Sequence, residues 1–399
     1  MVGRTFSASL FVLFLAGSSL LQGCAAPARL PAVPEDRQSA AAVAGMPGIR
    51  YWQEADIPML IEDGKQSYYR ELDLWQASGQ QGELPPASYL AVSGGGEDGA
   101  FGAGLLVGWS EAGTRPEFKL VTGISTGALT APFAFLGSSY DKQLKDVYTT
   151  ISARDVLVER GLAALIFDDA LSDNAPLRKL IARYFDETML RAIAEEHAKG
   201  RVLLIGTTNI DARRPVVWNI TKIAASGHPG ALDLIHDVLV ASAAIPAAFP
   251  PTMIDVEVDG QSYQEMHVDG GASAQVFVYP GALHVKDVSQ EEKVQRERRA
   301  YIIRNGRLDP QWAETDRVTY SIGSRAISSL IQNQGVGDLY RIYTLAQRDG
   351  VDFNLAFIPP TFDVPLNEPF DQAYMKALYD LGYEIGKSGT VWAKEPPGY

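Results

Sequence analysis

Short apolar runs alternate with stretches of three-to-four periodicity along most of this chain, the pattern of strands and helices in turn. A strand over 89–93 leads into a glycine-rich turn, Gly94 to Gly99, and then a helical run that ends near Ala112. A second strand, 118–122, leads into Gly123-Ile124-Ser125-Thr126-Gly127 and another helix. Further on, the periodicity predicts helices over 174–184, 187–198 and 232–242, and strands over 202–208, 216–220 and around His267. Asp211 to Pro215 reads as the turn between two of those strands. Strand 299–304, a long helix 318–347, strand 352–358 and helix 370–386 complete the alternation. Such alternation extends one sheet, so the expected class is α/β, with residues 87–282 as the core and 283–399 as its continuation. The charged run 290–299 reads as a solvated loop or helix.

The N-terminal part follows a different pattern. Arg4 precedes an apolar run, 10–15, that is too short to span a bilayer. Small and apolar residues follow as far as Leu20-Leu21-Gln22-Gly23-Cys24. This resembles a bacterial lipoprotein signal peptide over 1–23, which implies acylation of Cys24 and, with Ala25 next to it, an outer-membrane address. Cys24 is the single cysteine, so an intrachain disulfide is excluded. Residues 24–48 are rich in alanine and proline with no sustained period and read as a flexible tether. Residues 49–86 read as a helical cap: Trp52, Leu60, Ile61, Tyr68, Tyr69, Leu72 and Trp75 recur at roughly helical spacing. Acidic residues on its polar side (Glu54, Asp56, Glu62, Asp63, Glu71) favour packing on the domain over lying on a membrane.

Composition narrows the function. The 399 residues carry a formal net charge of −13, which argues against a nucleic-acid partner and gives no general attraction to anionic lipid headgroups. Clustered cysteines, an HExxH helix and a carboxylate-rich calcium loop are all missing from the sequence, so no metal or cofactor is implied.

The candidate chemistry lies in the two glycine turns. G-x-S-x-G between a strand and a helix is the spacing of a nucleophile elbow, with Ser125 at the corner and Gly123 and Gly127 small where the backbones converge. The upstream loop would supply backbone N–H groups to an oxyanion. Gly94, Gly96 and Gly99 also satisfy the dinucleotide fingerprint. However, Glu97 and Asp98 inside that loop would repel a pyrophosphate, and the next strand ends in the elbow rather than in an acidic residue. A nucleophilic serine needs a base. Five histidines are available (His197, His228, His236, His267, His284), none in a recognisable catalytic loop. Asp269, at a strand end before Gly270 and Gly271, could take the serine proton itself, or could be a turn aspartate.

Taken together, the glycine loop 94–99, the elbow 123–127, the stretch Ala241-Ser242-Ala243-Ala244-Ile245-Pro246-Ala247-Ala248-Phe249-Pro250-Pro251 and Asp269-Gly270-Gly271 resemble the patatin-like phospholipases. The resemblance covers about 87–279. It implies a three-layer fold with a mainly parallel central sheet and helices on both faces. It also implies a Ser125–Asp269 dyad, an oxyanion hole at Gly94, Gly95 and Gly96, and supporting roles for Gly99, Gly123, Gly127, Gly270 and Gly271. The implied activity is cleavage of acyl esters of phospholipids or related lipids, without a cofactor, by an enzyme anchored in the envelope and facing the periplasm. Where the family places a basic residue, this chain has Asp98. Two other readings stand beside it: a histidine-dependent α/β-hydrolase esterase, and a lipoprotein that keeps the fold without catalysis.

Overall fold

A computed structural model describes residues 28–156, 158–159, 170–389 and 391–398. The expected signal segment 1–23 and Cys24 lie outside the described residues. Nine strands build the central sheet: β1 (Arg50–Tyr51), β2 (Ala87–Val92), β3 (Phe118–Ile124), β4 (Val202–Asn209), β5 (Arg214–Asn219), β6 (Thr252–Val258), β7 (Gln261–Asp269), β8 (Arg298–Arg304) and β9 (Asp352–Phe357). The longer helices are α1 (Ile57–Ala77), α2 (Gly99–Glu111), α3 (Thr126–Leu136), α4 (Asp141–Thr150), α5 (Ala175–Tyr184), α6 (Glu187–Ala198), α7 (Ala231–Ser242), α8 (Thr319–Asp349) and α9 (Gln372–Ser388).

Strands β4, β3, β2, β8 and β9 lie side by side in parallel, and their near-continuous apolar sequences fit a sheet covered on both faces. The remaining strands form an antiparallel flank: β1 on β5, β5 on β4, and the β6–β7 hairpin on the end of β4. Alternation along each strand divides the core. Leu90 and Val92 of β2 and Ile303 of β8 face the layer of α2, α3, α4, α7 and α9. Ala91, Ala300 and Ile302 face Leu339, Ile342 and Ala346 of α8. Met59 and Leu60 of α1 cover the same side near β3–β5.

Two features differ from the sequence expectation. Residues 28–48 pack on the domain where a tether was expected. Arg29 forks onto Asp211 at 3.0 and 2.7 Å, Ala42 bridges to Glu257, and Val33, Ala41 and Met46 are buried. Small residues let this segment lie flat along the hairpin, which is why its composition alone read as a linker. The second feature is β6, absent from the periodicity reading. It joins β7 through Asp259-Gly260, both at positive φ (51° and 76°), as in a two-residue hairpin turn.

Helices α2 and α9 cross backbone to backbone. A Cβ on Gly104 would lie 2.0 Å from the Tyr379 carbonyl oxygen, and one on Gly382 2.3 Å from that of Phe101. Gly108 and Gly386 repeat the contact one turn on. Glycine at these four positions brings the C-terminal helix against the one that follows the glycine loop, so residues far apart in sequence share one wall.

Candidate active site

Strand β3 ends at Ile124, and the chain turns so sharply into α3 that Ser125 takes φ 56° and ψ −127°. A non-glycine residue there is strained by about 1–3 kcal/mol and persists only where its surroundings impose it. Here they do. A Cβ on Gly123 would sit 2.4 Å from the Gly127 carbonyl oxygen, and one on Gly127 2.2 Å from that of Val92. The Ser125 N–H donates to Ser242 Oγ at 3.0 Å, and that hydroxyl donates to the Gly206 carbonyl at 2.7 Å. α7 and β4 therefore brace the corner, and the positive end of α3 faces the serine.

Asp269 reaches the same point along the edge of β4. Ile124 pairs with Gly206, and the next residue of β4, Thr207, pairs with Asp269. β3 thus leaves this edge where β7 takes it over, and Ser125 and Asp269 meet at the junction. Gly270 permits the approach, since a Cβ there would lie 2.5 Å from the Gly206 carbonyl oxygen. The Asp269 carboxylate accepts the Gly271 N–H at 2.6 Å, and the nearby Ser125 hydroxyl also draws its pKa down. Burial pushes the carboxyl up to about 6 against the pull of both donors.

The glycine loop is less uniform than its sequence. The Gly94 N–H donates to the Gln275 carbonyl at 3.0 Å, so its expected role as an oxyanion donor is corrected: the group is already spent. Among the described residues, no acceptor meets the N–H of Gly95 or Gly96. Beneath the loop lies Arg304, 5% exposed, at the end of β8. Its Nη1 donates to the Gly94 carbonyl and to Ser93 Oγ, both at 3.3 Å, and Ser93 Oγ itself donates to the Gly94 carbonyl at 2.7 Å. That carbonyl and the Gly95 N–H belong to one peptide group, so donors on the oxygen polarise the N–H. Asn305 completes the support, binding both Ser93 (N–H to Oγ, 2.8 Å; Nδ2 to the carbonyl, 2.9 Å) and the Gly102 N–H (3.0 Å). Asp98 points to α9, where it accepts the Tyr374 hydroxyl at 2.5 Å. Burial pushes its carboxyl up to about 6.

Sequence reasoning named Ser242 only as part of the stretch 241–251 and missed Ser93, Gln275, Arg304 and Asn305. Only the last pair carried a signal: a polar Arg-Asn-Gly ending an apolar strand, at the carboxyl edge where parallel sheets place their sites.

None of the five histidines bonds Ser125. His267 sits between Thr207 Oγ1 (2.9 Å) and Glu265 (3.0 Å), and burial lowers its pKa. His236 bonds the Phe185 carbonyl, His284 bonds Asp287, and His228 accepts the Gly230 N–H. His197 is pushed down to about 4, first by burial and then by Arg70 and Lys222. Among the described residues no cluster of histidine and carboxylate side chains could hold a metal ion. A cavity of about 230 Å³ opens at the opposite end of the parallel strands, under α1, and neither Ser125 nor Asp269 lines it.

A parallel sheet, a strained serine at a strand–helix corner and a glycine loop beside it have the geometry of a nucleophile elbow. Residues 90–280 match the family model of the patatin-like phospholipases. No curated protein sequence matches this chain. Among solved structures it is similar to VipD from Legionella pneumophila at 13% identity and TM-score 0.34, over 76% of this chain and 67% of that one. Full-length ExoU of Pseudomonas aeruginosa, solved with SpcU, shares 13% identity at TM-score 0.31, over 77% and 52%. Human GIVD cytosolic phospholipase A2 shares 9% at TM-score 0.30, over 84% and 53%. The chain spans about two thirds of the first of these proteins and about half of the other two.

Proposed function

We propose that this protein hydrolyses acyl esters of phospholipids or related lipids through a dyad of Ser125 and Asp269. The observation that carries the reading is the placement of a strained serine and a buried carboxylate at adjacent positions along one edge of β4, with no histidine bonded to Ser125. Asp269 takes the hydroxyl proton as Ser125 Oγ bonds to the ester carbonyl carbon. The Gly95 and Gly96 N–H groups receive the oxyanion, and the positive end of α3 adds to the field there. The proton passes to the leaving alkoxide as its C–O bond breaks, which leaves an acyl-serine. Water then gives a proton to Asp269 and attacks the acyl carbon. Ser125 departs with that proton, and a fatty acid is released. Attachment of the chain to the outer membrane through acylated Cys24, with the domain in the periplasm, belongs to the same reading.

Vesicles of phosphatidylethanolamine and phosphatidylglycerol test it. Fatty acid and lysophospholipid should appear in equal amounts. Folded protein that releases nothing from these vesicles, and cleaves no short-chain soluble ester, is not a hydrolase.

Arg304 offers a finer check. Replacing the guanidinium by an apolar chain of similar length removes the charge that polarises the Gly94–Gly95 peptide but keeps the packing against Gly306 and Gly335. Arg304→Met should lower kcat on a soluble ester about tenfold while KM stays within about twofold. An unchanged kcat would show that the oxyanion donors need no support from below.

A further inference from the structure

The first turns of α8 stand away from the body of the protein. Trp312 is 88% exposed and Leu330 70%, and Val318, Ile322, Ile327 and Ile331 are exposed as well. At helical spacing, Ile322, Ala326, Ile327, Leu330 and Ile331 fall on one half of the helix, and Ser321, Arg325, Ser328 and Gln332 on the other. The large apolar side chains of the apolar half are exposed along these turns. An exposed apolar patch of this kind marks an interaction surface.

Its root is at the rim of the catalytic centre. Gln334 accepts the Gln275 side-chain amide at 3.4 Å, and the same amide donates to the Gly271 carbonyl at 2.9 Å. Gly335, one residue further on, lies against the Arg304 guanidinium. The preceding loop is folded back along the helix, with Gln332 donating to the Asp309 carbonyl at 2.9 Å and Arg325 to that of Gln311. Residues 317–337 contain two arginines and no carboxylate, in a chain of net charge −13.

We propose that the apolar half of α8, together with Trp312, lies on a lipid surface and seats the catalytic centre at the bilayer from which substrate is drawn. The inference rests on the lipid-hydrolase reading above. Continuity with the site selects this occupant, because the root of this helix touches Gln275 and Arg304, which adjoin Gly271 and the glycine loop. The composition agrees: aliphatic side chains and a tryptophan for the acyl–headgroup boundary, with arginine and uncharged polar groups towards water. Among the described residues no helix is long and apolar enough to cross a membrane, so the contact is interfacial.

The test uses the full chain with Cys24→Ala in every arm, so that no acyl anchor contributes to binding. Ile327→Asp with Leu330→Asp is compared with the otherwise unaltered chain on phosphatidylcholine–phosphatidylglycerol vesicles. Partition into vesicles and acyl release from them should both fall about tenfold or more, while turnover of a soluble short-chain ester is unchanged. Vesicle addition should shift tryptophan emission to the blue, and Trp312→Phe should remove most of that shift. Unaltered partition in the double variant overturns the proposal. So does a dimer in sedimentation velocity that the double variant dissociates, since the face would then join two copies of the chain. If the unaltered chain cleaves neither vesicle lipid nor soluble ester, the hydrolase reading falls, and partition alone then reports on the surface.

Discussion

Ser125→Ala abolishes fatty-acid release from vesicles and from soluble esters, a loss of about a thousandfold or more, while the protein remains folded. The argument is geometric. Ser125 is the residue that the corner presents at the junction where β7 ends in Asp269. Its backbone is braced by Ser242, Gly123 and Gly127, none of which depends on the hydroxyl. Alanine at φ 56° keeps the strain that serine already carries, so the melting temperature should move by only a few degrees. A fluorophosphonate probe gives the same answer covalently, labelling the wild type at Ser125 and leaving the variant unlabelled. Residual turnover close to wild type, from correctly folded Ser125→Ala, would refute the nucleophile.

Asp269→Asn should cost about 10²–10⁴ in kcat, the range for a positioned general base. The amide oxygen can still accept the Gly271 N–H, so the turn survives and the loss is chemical. The pH profile carries more information than the loss itself. Burial raises the Asp269 carboxyl to about 6, and only its ionised form accepts a proton. Log kcat/KM on a soluble ester should therefore rise with unit slope as pH increases towards about 6 and flatten above it. Asp98 titrates in the same region, pushed up to about 6 by burial, so it must be separated. Asp98→Asn should leave the inflection in place, because that carboxyl is turned to Tyr374. If the inflection moves with Asp98 and persists in Asp269→Asn, the base is misassigned.

Much of this site is legible in one dimension because its constraints are local. An elbow needs glycine two residues before and two after the serine, and the clashes at Gly123 and Gly127 are the physical content of that spacing. Asp269-Gly270-Gly271 is visible for the same reason: the carboxylate binds an N–H two residues on, and Gly270 makes room for Gly206. The Asp259-Gly260 turn was equally local, and reading it would have revealed β6 and the hairpin that delivers Asp269. What a motif does not report is how its donors are used. Three glycines in a row present three equivalent N–H groups in sequence, yet Gln275, reached only in the fold, consumes the first.

The amino-acid sequence by itself determined the alternation of strands and helices, the strained serine and the candidate aspartate, since periodicity and backbone sterics act over a few residues. The tertiary structure alone decided that serine and aspartate meet, because that depends on β3 and β7 sharing one edge of β4 at adjacent positions. It also brought Arg304 and Asn305 under the glycine loop and closed α9 on α2 through paired glycines. It laid residues 28–48 along the hairpin as well. Each of these is a contact between segments distant in sequence, set by strand register and by the fit of packed backbones, and no local pattern records either.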